Sequence, residues 1–162
     1  QHPHEGHPMT FKREDIKRSL HNHILTHDEF AGRADSLIWV ELESPTEDLS
    51  EWYEIHLASL YPDSTRMADQ IMRGSLRVLC KTRKQPSEES NFVDVYLPDR
   101  QVDRVETCLR GANIEVRDYV ENGGSTVTGI IHCDEVQIDD VGEADDHVRT
   151  IICTTQILVS AA

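Results

Sequence analysis

The chain has 162 residues, of which 30 are acidic and 16 basic, so its formal net charge at neutral pH is −14. This length is sufficient for one domain with a substantial core, and no apolar run approaches the roughly 20 residues of a membrane-spanning helix. A free nucleic-acid-binding protein needs a basic surface to displace counterions, and this composition argues against one.

The N-terminal segment divides into a polar tail and a first helix. Gln1–Pro8 is polar and rich in histidine, so we expect residues 1–9 to be a flexible tail rather than a metal-binding segment. Residues 10–162 are expected to form a single domain. A helix is predicted over residues 12–26, with Thr10 as its N-cap. One regular apolar stripe supports this helix: Ile16, Leu20 and Ile24.

Two long segments with alternating apolar and polar residues, 52–61 and 69–83, predict two half-buried strands that form a hairpin. In the first segment, one face is predicted to carry Tyr53, Ile55, Leu57 and Tyr61. In the second, the apolar face carries Leu76, Val78 and Cys80, and the other face carries Arg73, Arg77 and Lys81. Long hairpins of this kind are typical of architecture or of docking surfaces.

The remaining pattern predicts an α+β fold. A second helix is expected over residues 99–110, with Gly111 just beyond its C-terminus. Further strands are predicted over residues 37–42, 113–120, 126–138 and 148–159. The glycines of Asn122-Gly123-Gly124 predict a hairpin turn. The order is helix, three strands, helix, three strands, which favours an antiparallel or mixed β-sheet with two helices packed on one face.

The sequence offers candidate metal ligands but no complete metal motif. His21, His23 and His27 lie in the first predicted helix, and His23 and His27 are four residues apart. The glutamate of H-E-x-x-H is absent, so we expect a solvated helix flank. The acidic run 139–146 does not match an EF-hand and is expected to be a hairpin loop. A metal-binding domain or metal-dependent enzyme that uses these histidines remains an alternative.

The four cysteines follow apolar stripes, and their spacing contains no C-x-x-C motif. They are Cys80, Cys108, Cys133 and Cys153. We expect buried, reduced thiols that pack as small hydrophobic groups, although disulfides remain an alternative.

No motif for nucleophilic catalysis or phosphate binding occurs, so the sequence predicts no enzymatic activity and no cofactor. The basic residues of the second long strand and the acidic run have opposite charge. We therefore treat them as candidate subunit-interface residues, which would form an electrostatic seam between copies. They are Arg73, Arg77, Lys81, Asp139, Asp140, Asp145 and Asp146. A plain solvent-exposed face is the alternative for the basic residues.

One predicted strand begins at Trp52, and the long strand that follows reads Arg73-Gly74-Ser75-Leu76-Arg77-Val78-Leu79-Cys80-Lys81-Thr82. With these strands, the order of elements over residues 10–160 resembles the tail terminator, or tail completion, proteins of tailed bacteriophages and related archaeal viruses. This resemblance implies a virion protein, made in the host cytoplasm, that forms a homo-hexameric ring on the tail tube. It also implies contact with a neck or head-completion protein.

The same resemblance implies that genome DNA passes through the lumen of the ring without specific binding, and that no membrane is involved. It transfers no catalytic residues. A cytoplasmic adaptor that binds partners by strand pairing through the long hairpin is the third hypothesis.

Overall fold

The computed structural model describes residues 11–40, 49–62, 71–83, 96–143 and 147–161. Several expected features lie outside these residues: the tail over 1–9, the connection between the two strands of the long hairpin, and Asp145 and Asp146. In the described residues, no helix is long and apolar enough to cross a membrane.

In the described ranges, the regular structure consists of three α-helices and six β-strands. The helices are α1 (Arg13–Thr26), α2 (Leu97–Leu109) and the short α3 (Tyr119–Asn122). The strands are β1 (Leu37–Trp39), β2 (Glu51–Pro62), β3 (Ile71–Arg83), β4 (Asn113–Arg117), β5 (Val127–Glu143) and β6 (Val148–Ala161). Two 3₁₀ turns, Asp28–Phe30 and Ala34–Ser36, connect α1 to β1.

All six strands belong to one mixed sheet in the order β1-β2-β3-β6-β5-β4. Strand β1 runs parallel to β2, and every other neighbouring pair is antiparallel. The long hairpin is present, because β2 and β3 pair from Glu51 opposite Thr82 to Pro62 opposite Met72. The α+β prediction with a mixed sheet is confirmed.

The core lies between the sheet and helices α1 and α2. The predicted α1 stripe is buried, with Ile16 and Leu20 at 0% exposure. From α2, Val102, Val105 and Leu109 enter the same core. Gly111 has a φ of +66° just beyond α2, where its missing side chain removes the steric cost of that conformation. A separate small cluster on the opposite sheet face joins Ile38, Trp52, Val148 and Leu49.

The prediction that Tyr61 lies on the core face was wrong. A β-bulge between Ala58 and Leu60 shifts the pairing of β2 with β3, and Ser59 at its centre has a φ of +53°. The extra residue reverses the alternation. Leu60 therefore packs against the core, while Tyr61 is 52% exposed.

Three other boundaries differ from the sequence-based expectation. The first helix has Lys12 as its N-cap instead of Thr10. The predicted turn at Gly123 and Gly124 does lie between the antiparallel strands β4 and β5, and both glycines have positive φ. It follows the short helix α3, whose N-cap Asp118 accepts a hydrogen bond from the Glu121 N–H. The predicted acidic loop is also partly wrong, because its first five residues, through Glu143, belong to β5.

Candidate interaction surfaces

The basic stripe, defined as Arg73, Arg77 and Lys81, lies on the open face of the sheet, which is the face opposite α1 and α2. Arg73 pairs in register with Tyr61 and Leu158, and Arg77 pairs with His56 and Thr154. Arg73 and Arg77 are exposed, and Lys81 is half-buried beside Trp52. The predicted sharing of one face is confirmed. Because β3 is interior to the sheet, the stripe runs along the middle of the open face.

The acidic candidates are divided between the two faces of β5. Asp139 pairs with Ile152 and lies on the open face, whereas Asp140 pairs with Ile151 on the helix-bearing face. Asp140 also forms an ion pair with Arg149. Since β6 separates β5 from β3, Asp139 lies about 10 Å from the basic stripe across the sheet. This spacing does not bring the two charges into direct contact within one chain.

The second half of β5 is a free edge in the described part of the chain. Strand β4 pairs only with Val127–His132. A bulge between Cys133 and Val136 follows, and beyond it β5 pairs with β6 alone. We call residues 136–143 the β5 edge. It exposes two apolar side chains, Ile138 (48%) and Val141 (52%).

The predicted strand ends at residue 138, so residues 139–143 of the β5 edge were assigned to a loop because their carboxylates resemble one. The exposed acidic residues in and beside the β5 edge are Asp134, Glu135, Asp139, Asp140 and Glu143. The signal that could have extended the predicted strand is that the alternation of Val136 and Ile138 leads directly into the acidic run.

Among the described residues, strand β2 provides a second free edge. Strand β1 pairs with Tyr53–Ile55 only, and one more backbone bond joins the Val40 N–H to the Ile55 carbonyl. Beyond that point, residues 56–62, which we call the β2 edge, pair with β3 on one side and with no described strand on the other. Pro62 at its end suits an edge position, since proline cannot donate to a further strand.

His21 and His23 of α1, and His27 at its C-cap, are half-buried and packed, so the prediction of a solvated flank was wrong. His21 stacks on Trp39 with ring centroids 5.1 Å apart. His23 Nε2 donates to the Cys108 carbonyl at 2.9 Å, and His27 Nδ1 accepts the Glu29 N–H at 3.1 Å. In the described part of the chain, no group of three His, Cys, Asp or Glu side chains could hold a metal ion.

All four cysteines are buried free thiols, as predicted. Burial raises the pKa of Cys108 and of Cys133 from 9.0 to about 12. The Sγ atoms of Cys80 and Cys153 are 4.0 Å apart on adjacent strands, and this contact, together with burial, raises the pKa of Cys80. Protonated, buried thiols are poor nucleophiles and metal ligands, which fits packing rather than chemistry.

Comparison with known proteins gives a structural match and no sequence match. No family model matches the sequence, and no curated protein matches it. A chain in a solved structure of the virion of a native gene transfer agent (GTA) particle has a similar fold, with a TM-score of 0.61 and 8% sequence identity. The match covers 90% of this chain and 95% of that chain. At this identity, the match shows a shared fold.

Proposed function

We propose that this chain is a structural subunit of a virion, not an enzyme, and that it acts as a tail terminator. In this role it forms a hexameric ring that ends the tail tube and contacts the neck or head-completion protein. The observation that carries the proposal is the fold shared with a virion chain over nearly the full length of both. The resemblance of the element order to tail terminators supports the finer assignment.

The surfaces of the chain suit repeated contact with copies of itself. The basic stripe and Asp139 share the open face but are separated by β6. Opposite charges on different patches of one subunit favour a heterologous interface, in which one patch meets a different patch of the neighbour. Such interfaces generate closed rings when the rotation between neighbours closes.

The net charge of −14 supports the expected role of the lumen. Negative subunits repel phosphates, so genome DNA would pass through such a ring without specific binding.

Charge reversal of the basic stripe tests whether it forms a seam between copies. The double variant Arg77→Glu, Lys81→Glu is expected to weaken self-association at least about tenfold, because two attractions become repulsions. Sedimentation velocity over a range of protein concentration measures this. Raising the salt concentration should weaken the wild-type assembly in the same direction, since exposed charges are screened.

The matched control is Arg100→Glu, Arg110→Glu, which changes the net charge equally at two exposed positions in or next to α2. The control is expected to assemble like the wild type. Equal assembly of the stripe variant and the wild type would remove the seam from the proposal.

A further inference from the structure

We propose that neighbouring copies join by antiparallel strand pairing between the β5 edge of one copy and the β2 edge of the next. This inference rests on the proposed function, because it names the contact through which the subunits assemble. Both edges present backbone N–H and C=O groups that no described strand pairs with, and such rows readily accept a strand from another chain.

Strand direction fits this pairing. The steps from β2 to β3, from β3 to β6 and from β6 to β5 are all antiparallel. Three reversals make β5 antiparallel to β2 within one chain. A second copy placed beside the first in the same orientation therefore brings its β2 edge antiparallel to the β5 edge, and the sheet continues from one copy into the next.

The positions of the two edges determine how the copies are offset. Leu57, Leu76, Thr155 and Val136 form one row across the sheet. The β2 edge extends to one side of this row, and the β5 edge extends to the other. Pairing them requires a shift along the strands of about six residues, or about 20 Å.

This offset is compatible with a closed ring. From β2 of one copy to β2 of the next there are four strand spacings, or about 19 Å across the strands. If all copies lie at the same height, a shift of about 20 Å along the strands tilts them by about 45° from the ring axis. Closed β-barrels have strand tilts of about 35–45°, so the offset requires no unusual sheet geometry.

The side chains at the two edges are complementary in charge. The β5 edge carries Asp139, Asp140 and Glu143. On β3, directly beside the β2 edge, Arg73 and Arg77 pair with Tyr61 and His56. On the helix side, the Arg13 guanidinium donates to the Leu60 carbonyl at 3.4 Å. These charges favour a second copy over an acidic partner at the β5 edge.

Disulfide trapping tests the contact directly. In chains that carry Asp139→Cys together with His56→Cys, Ala58→Cys or Tyr61→Cys, oxidation is expected to produce a ladder of linked chains for at least one pair. These positions share the open face. The control combines Asp139→Cys with Glu115→Cys on β4, and is expected to give no ladder. The native thiols are buried and do not compete.

A second variant blocks the edge without adding a cross-link. Ile138→Lys places a charge on the β5 edge, as natural edge strands do to prevent pairing, and is expected to weaken self-association at least about tenfold. Its matched control is Val120→Lys in α3, because Val120 is 47% exposed and Ile138 is 48% exposed. Circular dichroism checks that both variants fold.

The outcomes separate this inference from the proposed function. Edge pairing is wrong if the wild type assembles, all the Asp139→Cys pairs give no ladder, and Ile138→Lys assembles normally. The proposal of a ring held by other contacts survives that result. If the wild type stays monomeric at all concentrations, both fail. A ladder together with loss of assembly in Ile138→Lys supports the pairing.

Discussion

One buried polar residue, Gln101, fixes how helix α2 lies on the sheet. Gln101 of α2 is 0% exposed, and it ties α2 to one end of the long hairpin. Its Oε1 accepts the Thr82 hydroxyl at 2.7 Å. Its Nε2 donates to the carbonyls of Trp52 at 3.1 Å and Lys81 at 3.0 Å. Every polar atom of this side chain is therefore paired where water is excluded.

Removing this side chain should be costly. We expect Gln101→Ala to lower the free energy of unfolding by about 2–4 kcal/mol, because it leaves the buried Thr82 hydroxyl without its acceptor, removes one hydrogen bond from each of two carbonyls, and opens a cavity. Chemical denaturation followed by circular dichroism measures this. The control Gln156→Ala, at an exposed position of β6, should stay within about 0.5 kcal/mol of the wild type. Equal stability of the two variants would show that the Gln101 network contributes little.

At the residue scale, the sequence predicts apolar side chains better than polar ones. Ile16, Leu20 and the four cysteines are buried as expected. Their burial could be predicted because they are apolar and recur at a spacing that places them on one face of a helix or strand. The partner of Gln101 or His23 cannot be predicted in the same way. His23 reaches the Cys108 carbonyl, 85 residues away in the sequence, and only the tertiary packing brings these groups together.

At the element scale, the bulge of β2 determines which side chains face outward. The close approach of β3 depends on Gly74, since a Cβ there would lie 2.3 Å from the Ser59 carbonyl oxygen. The bulge also leaves the Ala58 carbonyl to accept the Ser75 hydroxyl at 3.1 Å. Glycine at position 74 and the bulge at Ser59 therefore belong to one arrangement.

This coupling predicts the effect of Gly74→Ala. The added methyl group must displace the backbone of the bulge, so we expect a loss of about 2–3 kcal/mol in the free energy of unfolding. Ser59→Gly is the control. It keeps the positive φ without a Cβ, and should stay within about 1 kcal/mol of the wild type. Urea denaturation of both variants measures these changes in the free energy of unfolding. A neutral Gly74→Ala would mean that the bulge tolerates the methyl group.

The positions of helices and strands were predictable where the spacing of apolar residues stays regular along the whole element. The long hairpin and the core faces of both helices follow from local patterns in the sequence. The bulges at Ala58 and Cys133 do not, because a bulge is defined by the partner strand. The free edges are also inaccessible to local reasoning, since they depend on β4 and β1 being shorter than the strands they cover.

At the scale of the whole molecule, the described residues combine a sheet face covered by α1 and α2, the face opposite these helices, and two offset free edges. The fold is shared with a GTA virion chain. The β2 edge and the β5 edge extend in opposite directions along the strands, and the side chains in or beside them carry opposite charges. A subunit of this kind suits head-to-tail assembly, because each copy can offer one edge and receive the other. Because one chain has a formal net charge of −14, the proposed ring would be strongly negative, which would suit the passage of DNA without capture.

Electron microscopy of the purified protein, with image classification, tests the ring most directly. We expect closed rings whose class averages show sixfold symmetry, at protein concentrations where sedimentation shows assembly. The Ile138→Lys variant should reduce the number of rings under the same conditions. Only monomers, or open filaments without closed rings, across the accessible range of salt and protein concentration would contradict the proposed ring.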